Sequence, residues 1–199
     1  FVNGGDPAHE EGVVLRDLEL RCSGCGSGDW GVFLYNDIDD LRMERLLIRG
    51  FSIGVHLAGA NVCGTPGCDR ANERIALRDS EVSDNQVAGW LGADQQLLLE
   101  GNRFLRNGSG TVFQHNLYLT QSGGATQGIR VLRNELYRSA AAASGRCEGG
   151  SFAAHGEHAD LLIEGNLIHE DVGAADPACW GLGLTPAYAT PERFERTII

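Results

Sequence analysis

The segments LEGNRF (99–104), VLRNEL (131–136) and IEGNLI (163–168) repeat one pattern, and Asn102, Asn134 and Asn166 within them are evenly spaced. Such a regular interval indicates stacked structural units that each contact mainly their neighbours. Asparagine tolerates tight bends, and its amide can hydrogen-bond an identical amide stacked above it. The three asparagines therefore predict a ladder of side chains at one bend of a wound chain.

The repeat extends along the chain as alternating apolar and polar residues, the period of a β-strand. The aligned positions are Leu15, Met43, Leu77, Leu99, Val131 and Ile163. The number of residues between successive positions varies and is smallest between Leu77 and Leu99. A second strand precedes most of these positions, and no segment shows the period of a long amphipathic helix. The sequence predicts an all-β fold with one domain over residues 1–199, a parallel β-helix of about six coils.

The chain resembles the secreted bacterial right-handed parallel β-helix proteins of the pectate-lyase-like superfamily. The resemblance rests on the asparagine segments, on GVFLYND (31–37) and on HNLYL (115–119), and it covers nearly the whole chain. It implies a right-handed solenoid that acts on a polysaccharide. The superfamily contains lyases, glycoside hydrolases, C5-epimerases and phage tailspikes, so the fold does not select one activity. The chain has no lysine and lacks the paired-aspartate and Asp-Pro-His motifs of two of these groups.

The composition restricts the possible partners. All 16 basic residues are arginine and the formal net charge is −11, which argues against binding to nucleic acid because phosphate recognition requires a basic surface. No apolar run is long enough to span a membrane. The partner that we expect is a polysaccharide.

Six cysteines predict disulfides and a secreted or periplasmic location. Cys147 and Cys179 are separated by the same interval as the asparagines, so stacked coils would place them one above the other. Cys63 and Cys68 could pair within one loop. Cys22 and Cys25 could form a local disulfide or a redox pair, and zinc binding is the alternative for the two closely spaced pairs.

Aromatic and histidine side chains recur in the second strand of successive coils: Tyr35, His56, Trp90, Tyr118 and His155. Their neighbours are mostly small or aliphatic, so alternation places this column on the outside of the solenoid. Exposed aromatic rings suit the apolar faces of sugar rings. We therefore predict that Tyr35, His56, Trp90 and Tyr118 bind substrate. The alternative is that the column is buried.

Candidate catalytic residues cluster near the end of this column. His155, Glu157 and His158 lie at the end of one strand, and His115 and Tyr118 lie on the preceding coil. A lyase or epimerase acting on a uronate needs a base, an acid and a cation to neutralise the carboxylate. His155 or His115 could be the base, Tyr118 the acid and Arg146 the cation.

Two other functional classes stay open at this stage. A glycoside hydrolase would need two carboxylates at a defined separation, which Glu157 with Asp160, or Glu170 with Asp171, could supply. A non-catalytic glycan-binding or surface-structural protein would keep the aromatic column and lack a convergent catalytic group.

An acidic turn and the chain ends support two further expectations. Asp37, Asp39 and Asp40 place carboxylates in one turn, where they could bind calcium, although a solvated turn is the alternative. The final residues ERTII (195–199) read as the first half of another coil. We expect that caps of the natural protein are missing from this chain, or that uncapped coils associate end to end.

Overall fold

The computed structural model describes residues 2–3, 10–35, 38–58, 72–109, 111–121, 125–139, 145–185 and 193–199, and within these ranges the chain forms strands and turns and no helix. None of this described part is a helix long and apolar enough to cross a membrane. The strands are β1 (Val2–Asn3), β2 (Glu10–Glu11), β3 (Val14–Arg16), β4 (Glu19–Arg21), β5 (Trp30–Tyr35), β6 (Ile38–Asp39), β7 (Arg42–Glu44), β8 (Leu47–Arg49), β9 (Ile53–Ala58), β10 (Ala76–Arg78), β11 (Glu81–Ser83), β12 (Ala88–Ala93), β13 (Leu98–Glu100), β14 (Arg103–Leu105), β15 (His115–Gln121), β16 (Thr126–Gln127), β17 (Arg130–Leu132), β18 (Glu135–Tyr137), β19 (Cys147–His155), β20 (Glu157–Ala159), β21 (Leu162–Glu164), β22 (Leu167–His169), β23 (Ala174–Leu184) and β24 (Arg193–Glu195).

The strands form a parallel β-solenoid of about five turns. A seven-stranded sheet has the order β1-β5-β9-β12-β15-β19-β23, and we call it the long-strand sheet. Two six-stranded sheets have the orders β21-β17-β13-β10-β7-β3 and β22-β18-β14-β11-β8-β4. Two shorter sheets pair β16-β20-β24 and β2-β6. The predicted parallel β-helix is confirmed, with six strands stacked in each six-stranded sheet.

The strand register follows the sequence repeat. Leu15 pairs with Met43, and the same column continues through Leu77, Leu99, Val131 and Ile163. The last five of these side chains are buried in one apolar core, and Leu15 packs against it. The six positions aligned from the sequence therefore occupy one inward-facing column. A register shift of a single residue would turn every one of them outward.

A two-residue turn joins the two six-stranded sheets in every coil, and we call this the ladder corner. The first turn residue has a positive φ between 49° and 68°, in the column Asp17, Arg45, Asp79, Gly101, Arg133 and Gly165. The second residue is the ladder position. The Asn102 amide donates to Oδ1 of Asn134 at 3.0 Å, and Asn134 donates to Oδ1 of Asn166 at 2.9 Å. The predicted asparagine ladder is confirmed.

A second ladder lies at the corner that leads into the long-strand sheet. Asn85 donates to Asn107 at 2.8 Å, and Asn107 donates to Asn116 at 2.9 Å. Asn116 in turn donates to the Ser151 hydroxyl at 3.0 Å. These buried side chains satisfy backbone groups at the bends, as a buried polar group must. Their spacing changes from coil to coil, so a search for one constant interval does not reveal them.

Arginine side chains pair with carboxylates one coil away on the outside of the corners. Arg45 bonds Asp17 at 2.7 Å through Nε and at 3.0 Å through Nη2, and Arg106 binds Asp84 with the same two-pronged geometry. The planar guanidinium fork matches a carboxylate in a way that an ammonium group does not. These contacts give a physical reason for the all-arginine composition.

The coils differ in length mainly beside the long-strand sheet. Long connections enter it at residues 22–29, 106–114 and 138–146, and a long connection leaves it at residues 59–75. The turns at the ladder corner keep one length throughout. The number of residues between successive strands therefore varies most next to the long-strand sheet.

Candidate functional site

The outer face of the long-strand sheet carries the aromatic and histidine residues, in a register that differs from the predicted column. One outward column contains Phe33, His56, Leu91, Tyr118, Ala153 and Gly183. Tyr35 lies two residues after Phe33 on β5 and pairs with Ala58. His155 lies two residues after Ala153 on β19 and pairs with Thr120. His56 and Tyr118 therefore share a column, while Tyr35 and His155 lie on the same face beside it.

The prediction that Trp90 faces outward is wrong. Trp90 pairs with Val55 and Leu117 in the inward column, and its side chain is fully buried. The indole N–H donates to the carbonyl oxygen of Gly92 at 3.0 Å. The aligned position on β12 is Leu91, one residue later, and alternation makes a one-residue error reverse the face. Trp90 thus packs in the core and contributes nothing to the outer face of the sheet.

A cavity of about 410 Å³ opens on this face. Its lining comes from β15, β19 and β23, from the connection that precedes β15 and from the residue that follows β23: Val112, Phe113, His115, Tyr118, Ala153, His155, Trp180, Gly183 and Thr185. None of these described lining residues is an acid, an arginine or a lysine. A concave, largely apolar site with a few convergent polar groups is the usual form of a small-ligand site.

Three of the predicted catalytic residues meet in the cavity. The rings of His115 and Tyr118 have centroids 5.0 Å apart, and those of Tyr118 and His155 are 5.5 Å apart. Tyr118 therefore lies between the two imidazoles. The arrangement comes from strand pairing, since β15 carries His115 and Tyr118 and the adjacent β19 ends at His155.

Hydrogen bonds orient both cavity histidines. Nδ1 of His115 is 2.7 Å from the carbonyl oxygen of Gly150, and Nδ1 of His155 is 2.7 Å from that of Thr185. A carbonyl oxygen only accepts, so Nδ1 carries the hydrogen in each ring, and the lone pair of the neutral ring lies on Nε2. Burial lowers the pKa of His115 from its ordinary value, which keeps this imidazole neutral and able to accept a proton near neutral pH.

Trp180, Phe113 and Thr185 are cavity residues that the sequence did not identify. Trp180 and Phe113 are 36% and 67% exposed, so their rings can reach a ligand. Trp180 directly follows Cys179, whose bridge to Cys147 the repeat interval predicts. The position of Trp180 next to a cysteine with a predicted partner is the sequence signal that could have identified it. Phe113 lies in a connection where no repeat assigns a position.

Arg146, Glu157 and His158 do not line the cavity. Arg146 is exposed. Glu157 and His158 border a separate small pocket with Arg193 and Glu195. The His158 ring is buried, donates to the His155 carbonyl at 2.8 Å and meets the Thr126 hydroxyl at 2.6 Å. The structure therefore gives no cavity position to the predicted cation, and the His158 contacts are those of a structural residue.

The carboxylate pairs considered for hydrolysis also lie outside the cavity. Arg196 and Gln127 bind Asp160 and lower its pKa to about 2. Arg138 and Tyr137 bind Asp171 and lower its pKa. Burial raises the pKa of Glu170, which accepts the backbone N–H of Ser139 at 2.8 Å. These contacts are structural ones between coils.

The calcium prediction receives no support from the acidic turn. The carboxylates of Asp39 and Asp40 bind the guanidinium of Arg74 at 2.8 Å and 2.9 Å, so a cation already lies between them. Asp37 lies outside the described residues. Among the residues that the structure describes, no group of three or more His, Cys, Asp or Glu side chains could hold a metal ion.

Two of the predicted disulfides are formed. Cys147 and Cys179 link adjacent coils with Cα atoms 5.4 Å apart, and Cys22 and Cys25 form a local bridge with Cα atoms 5.8 Å apart. Both fit an extracellular protein. The predicted pair of Cys63 and Cys68 lies outside the described residues.

A second aromatic group, the aromatic patch, lies on the same face at β5 and β9. It consists of Trp30, Phe33, Tyr35 and His56. The ring centroids of Trp30 and Phe33 are 4.2 Å apart, and those of Phe33 and Tyr35 are 5.6 Å apart. His56 lies 5.4 Å from Phe33, and burial lowers its pKa. The patch thus contains two predicted binding residues, Tyr35 and His56.

Comparison of the chain with protein-family models, with curated proteins and with solved structures found no match in any of the three. The pectate-lyase-like resemblance, the bacterial origin and the end-to-end association therefore stay predictions.

Proposed function

We propose that this is a carbohydrate-active protein that binds a polysaccharide across the outer face of the long-strand sheet and carries out lyase- or epimerase-type proton transfer in the cavity. The observation that carries the proposal is the convergence of His115, Tyr118 and His155 beside the exposed ring of Trp180. Aromatic rings stack on sugar C–H faces, and imidazole and phenol groups are suited to exchange protons with a bound sugar.

The hydrogen bonds of the histidines support the roles that we propose. In the proposed reaction, Nε2 of His155 or His115 removes the proton at C5 of a uronate. Tyr118, between the two rings, then protonates the leaving oxygen in an elimination. For epimerisation, a proton returns to the opposite face of C5. In either reaction the removed proton is held on an imidazole that a carbonyl oxygen fixes through Nδ1.

The aromatic patch extends this proposal beyond the cavity. It lies on β5 and β9, and the cavity begins on β15, so β9 and β5 are two and three strand spacings of roughly 5 Å each from the cavity. An oligosaccharide of several units would contact both. We assign Trp30, Phe33, Tyr35 and His56 to binding of the outer sugars.

A glycan-binding protein without catalysis is the second candidate. It is favoured by the absence of acids, arginines and lysines from the described cavity lining, because an arginine or lysine beside a uronate carboxylate would assist its chemistry. A neutral glycan would need no such cation. This class retains the same binding face and differs only in turnover.

The test is an assay of the purified protein against alginate, polygalacturonate, xylan and a mixed-linkage β-glucan. Ultraviolet absorbance of unsaturated uronates and the formation of reducing ends are measured in parallel, and proton exchange at C5 is followed by NMR in D₂O. We expect absorbance together with reducing ends for a lyase, and exchange alone for an epimerase. Reducing ends without absorbance would contradict the proposal in favour of hydrolysis.

Variants separate catalysis from binding. Tyr118→Phe and His155→Ala should lower turnover by about 10²- to 10⁴-fold, the usual contribution of general acid–base groups, and leave glycan retention nearly unchanged. His169→Gln, on β22 and away from the cavity, is the matched control. Binding that depends on Trp180 without any turnover would support the non-catalytic candidate.

A further inference from the structure

One wall of the cavity belongs to the last strand of the described long-strand sheet. β23 contributes Trp180 and Gly183 to the lining, and Thr185 directly follows it; among the described strands of this sheet β23 pairs only with β19. The Thr185 carbonyl also accepts the Nδ1 hydrogen of His155. The position of β23 therefore determines both the aromatic wall and the orientation of one cavity histidine.

The pairing of β23 with β19 is irregular beside this wall. Cys147 pairs with Ala174, and the register then shifts before Gly149 pairs with Cys179. Strand pairing is weakened at such an irregularity because the ladder of hydrogen bonds is interrupted. The Cys147–Cys179 disulfide spans this region, and Trp180 is the next residue along the chain.

Glycine residues form the seat of the Trp180 ring. A Cβ atom added at Gly150 would clash with the indole, and one added at Gly183 would lie 3.0 Å from its Nε1. The ring therefore lies close against two bare stretches of backbone. The two glycines contact the ring without enclosing it, since the side chain of Trp180 is 36% exposed. These contacts therefore hold Trp180 only while β23 stays paired with β19.

We infer that the Cys147–Cys179 disulfide is a positioning device for the cavity and that its reduction by a dithiol releases the Trp180 wall. A thiolate of the dithiol attacks Sγ of Cys179, which is the less buried of the two cysteines. The S–S bond breaks, and Cys147 leaves as a thiolate that takes up a proton. The second thiol of the reagent then displaces Cys179 as a thiol, and the dithiol is oxidised to its cyclic disulfide.

The consequence is that the Trp180 wall of the cavity stays in place only under oxidising conditions. Reduction removes the one covalent link between β19 and β23 among the described cysteines. Trp180 leaves its glycine seat, and the carbonyl of Thr185 no longer holds His155. The remaining coils keep their ladders and ion pairs, so the change is local to the cavity.

The experiment measures the accessibility of Trp180 without any glycan. The chain has three tryptophans, of which Trp90 is fully buried, so in a Trp30→Phe background the quenching of fluorescence by acrylamide reports mainly on Trp180. Quenching is measured before and after dithiothreitol treatment, with Cys147 and Cys179 shown to be reduced by alkylation and mass spectrometry. We expect the quenching constant to rise at least two-fold while far-UV circular dichroism stays unchanged.

Matched cysteine variants complete the test. Cys147→Ser/Cys179→Ser should show the high quenching constant without dithiothreitol, and Cys22→Ser/Cys25→Ser should still respond to it as the parent does. An unchanged constant after reduction would overturn the inference, and so would a general loss of the β-sheet signal, which would make the disulfide a global staple. Because no ligand is used, failure here is distinct from failure of the proposed carbohydrate activity.

Discussion

The ladder corner and the outer face of the long-strand sheet are built from the same coils but under different constraints. At the ladder corner every coil has a two-residue turn, a positive φ at the first residue and strands of three residues. On the long-strand sheet the strands from β5 onward are longer, two register shifts occur at Leu91/Ala93 and Cys147/Gly149, and the connections before and after the strands vary in length.

The contrast shows how a repetitive fold can carry a site. Where each coil repeats its neighbour, like groups meet and satisfy one another, as Asn134 does with Asn102 and Asn166. Where a coil departs from the repeat, side chains face unlike partners and leave a concavity. The cavity lies beside such a departure, because the shift at Cys147/Gly149 falls on β19, which contributes Ala153 and His155 to the lining.

Removing a ladder amide at the corner should produce the largest effect. Asn134→Ala takes away the acceptor of the Asn102 backbone N–H and the donor to the Leu99 carbonyl, both in the buried interior. We expect a loss of about 2–4 kcal/mol in the free energy of unfolding, measured by urea denaturation.

Asn166→Ala is the control for this prediction. Its side chain is less buried, so water replaces part of the lost bonds and about half the loss is expected. A loss below about 1 kcal/mol for Asn134→Ala would mean that the ladder does not stabilise the corner.

Filling the Trp180 seat tests the opposite region. Gly150→Ala drives a methyl group into the indole, and we expect a destabilisation of about 1–3 kcal/mol from overpacking, with a rise in Trp180 quenching by acrylamide. Gly173→Ala is the matched control, since its new Cβ would meet nothing within 4 Å. Equal behaviour of the two variants would remove the argument that the seat positions the ring.

Two histidines of the long-strand sheet, the buried His115 and the partly buried His56, should make stability depend on pH. Burial lowers the pKa of His56 and of His115 in the folded state. As pH falls below the unfolded value near 6.5, the unfolded chain takes up protons that the folded chain does not, so stability is full above that value and decreases below it. The slope is at most about 1.4 kcal/mol per pH unit for each histidine.

Urea denaturation between pH 7.5 and 5.5 checks this dependence in the wild type, in His115→Gln and in His56→Gln. Each variant should lose part of the slope, and the double variant should lose more than either. Carboxylates with lowered pKa values, such as Asp160, contribute only at lower pH. A slope that neither substitution changes would show that these histidines do not set it.

The smallest effect is expected at a corner ion pair. Arg106→Lys keeps the charge and loses the two-pronged contact with Asp84, and exposed pairs of this kind contribute about 0.2–1 kcal/mol. We expect a loss within that range that shrinks in high salt. The same substitution in an Asp84→Asn background should cost much less, and an equal cost in both backgrounds would contradict the role of the pair.

The repetitive part of the molecule could be predicted from the sequence because its information is local and recurrent. Leu15, Met43 and Leu77 align although different numbers of residues separate them. Each lies in a three-residue strand followed by a two-residue turn, so the same pattern of apolar and polar residues recurs around it. The Cys147–Cys179 pair followed from the interval of the asparagine ladder. The second ladder at Asn85, Asn107 and Asn116 could not be predicted in this way, because the intervals between its asparagines are unequal.

The site could be predicted only in part. His115, Tyr118 and His155 lie together because they occupy neighbouring strands, and strand alternation reveals that much. The sequence pattern predicts the wrong face for Trp90, because the register of β12 cannot be read from a column of aromatic residues. Phe113 and Arg146 lie in connections between strands, where the repeat gives no position for a side chain.

The shortest coil, from Leu77 to Leu99, shows the minimum circumference of the solenoid, because it completes one layer and still pairs in register with its neighbours. Its connections around the long-strand sheet, residues 84–87 and 94–97, are short where adjacent coils carry long ones. A peptide inserted after Gln86 would lengthen one of these short connections and leave the turn of constant length at the ladder corner unchanged. The solenoid therefore offers a frame in which a loop can be lengthened without altering the corner that stacks the coils.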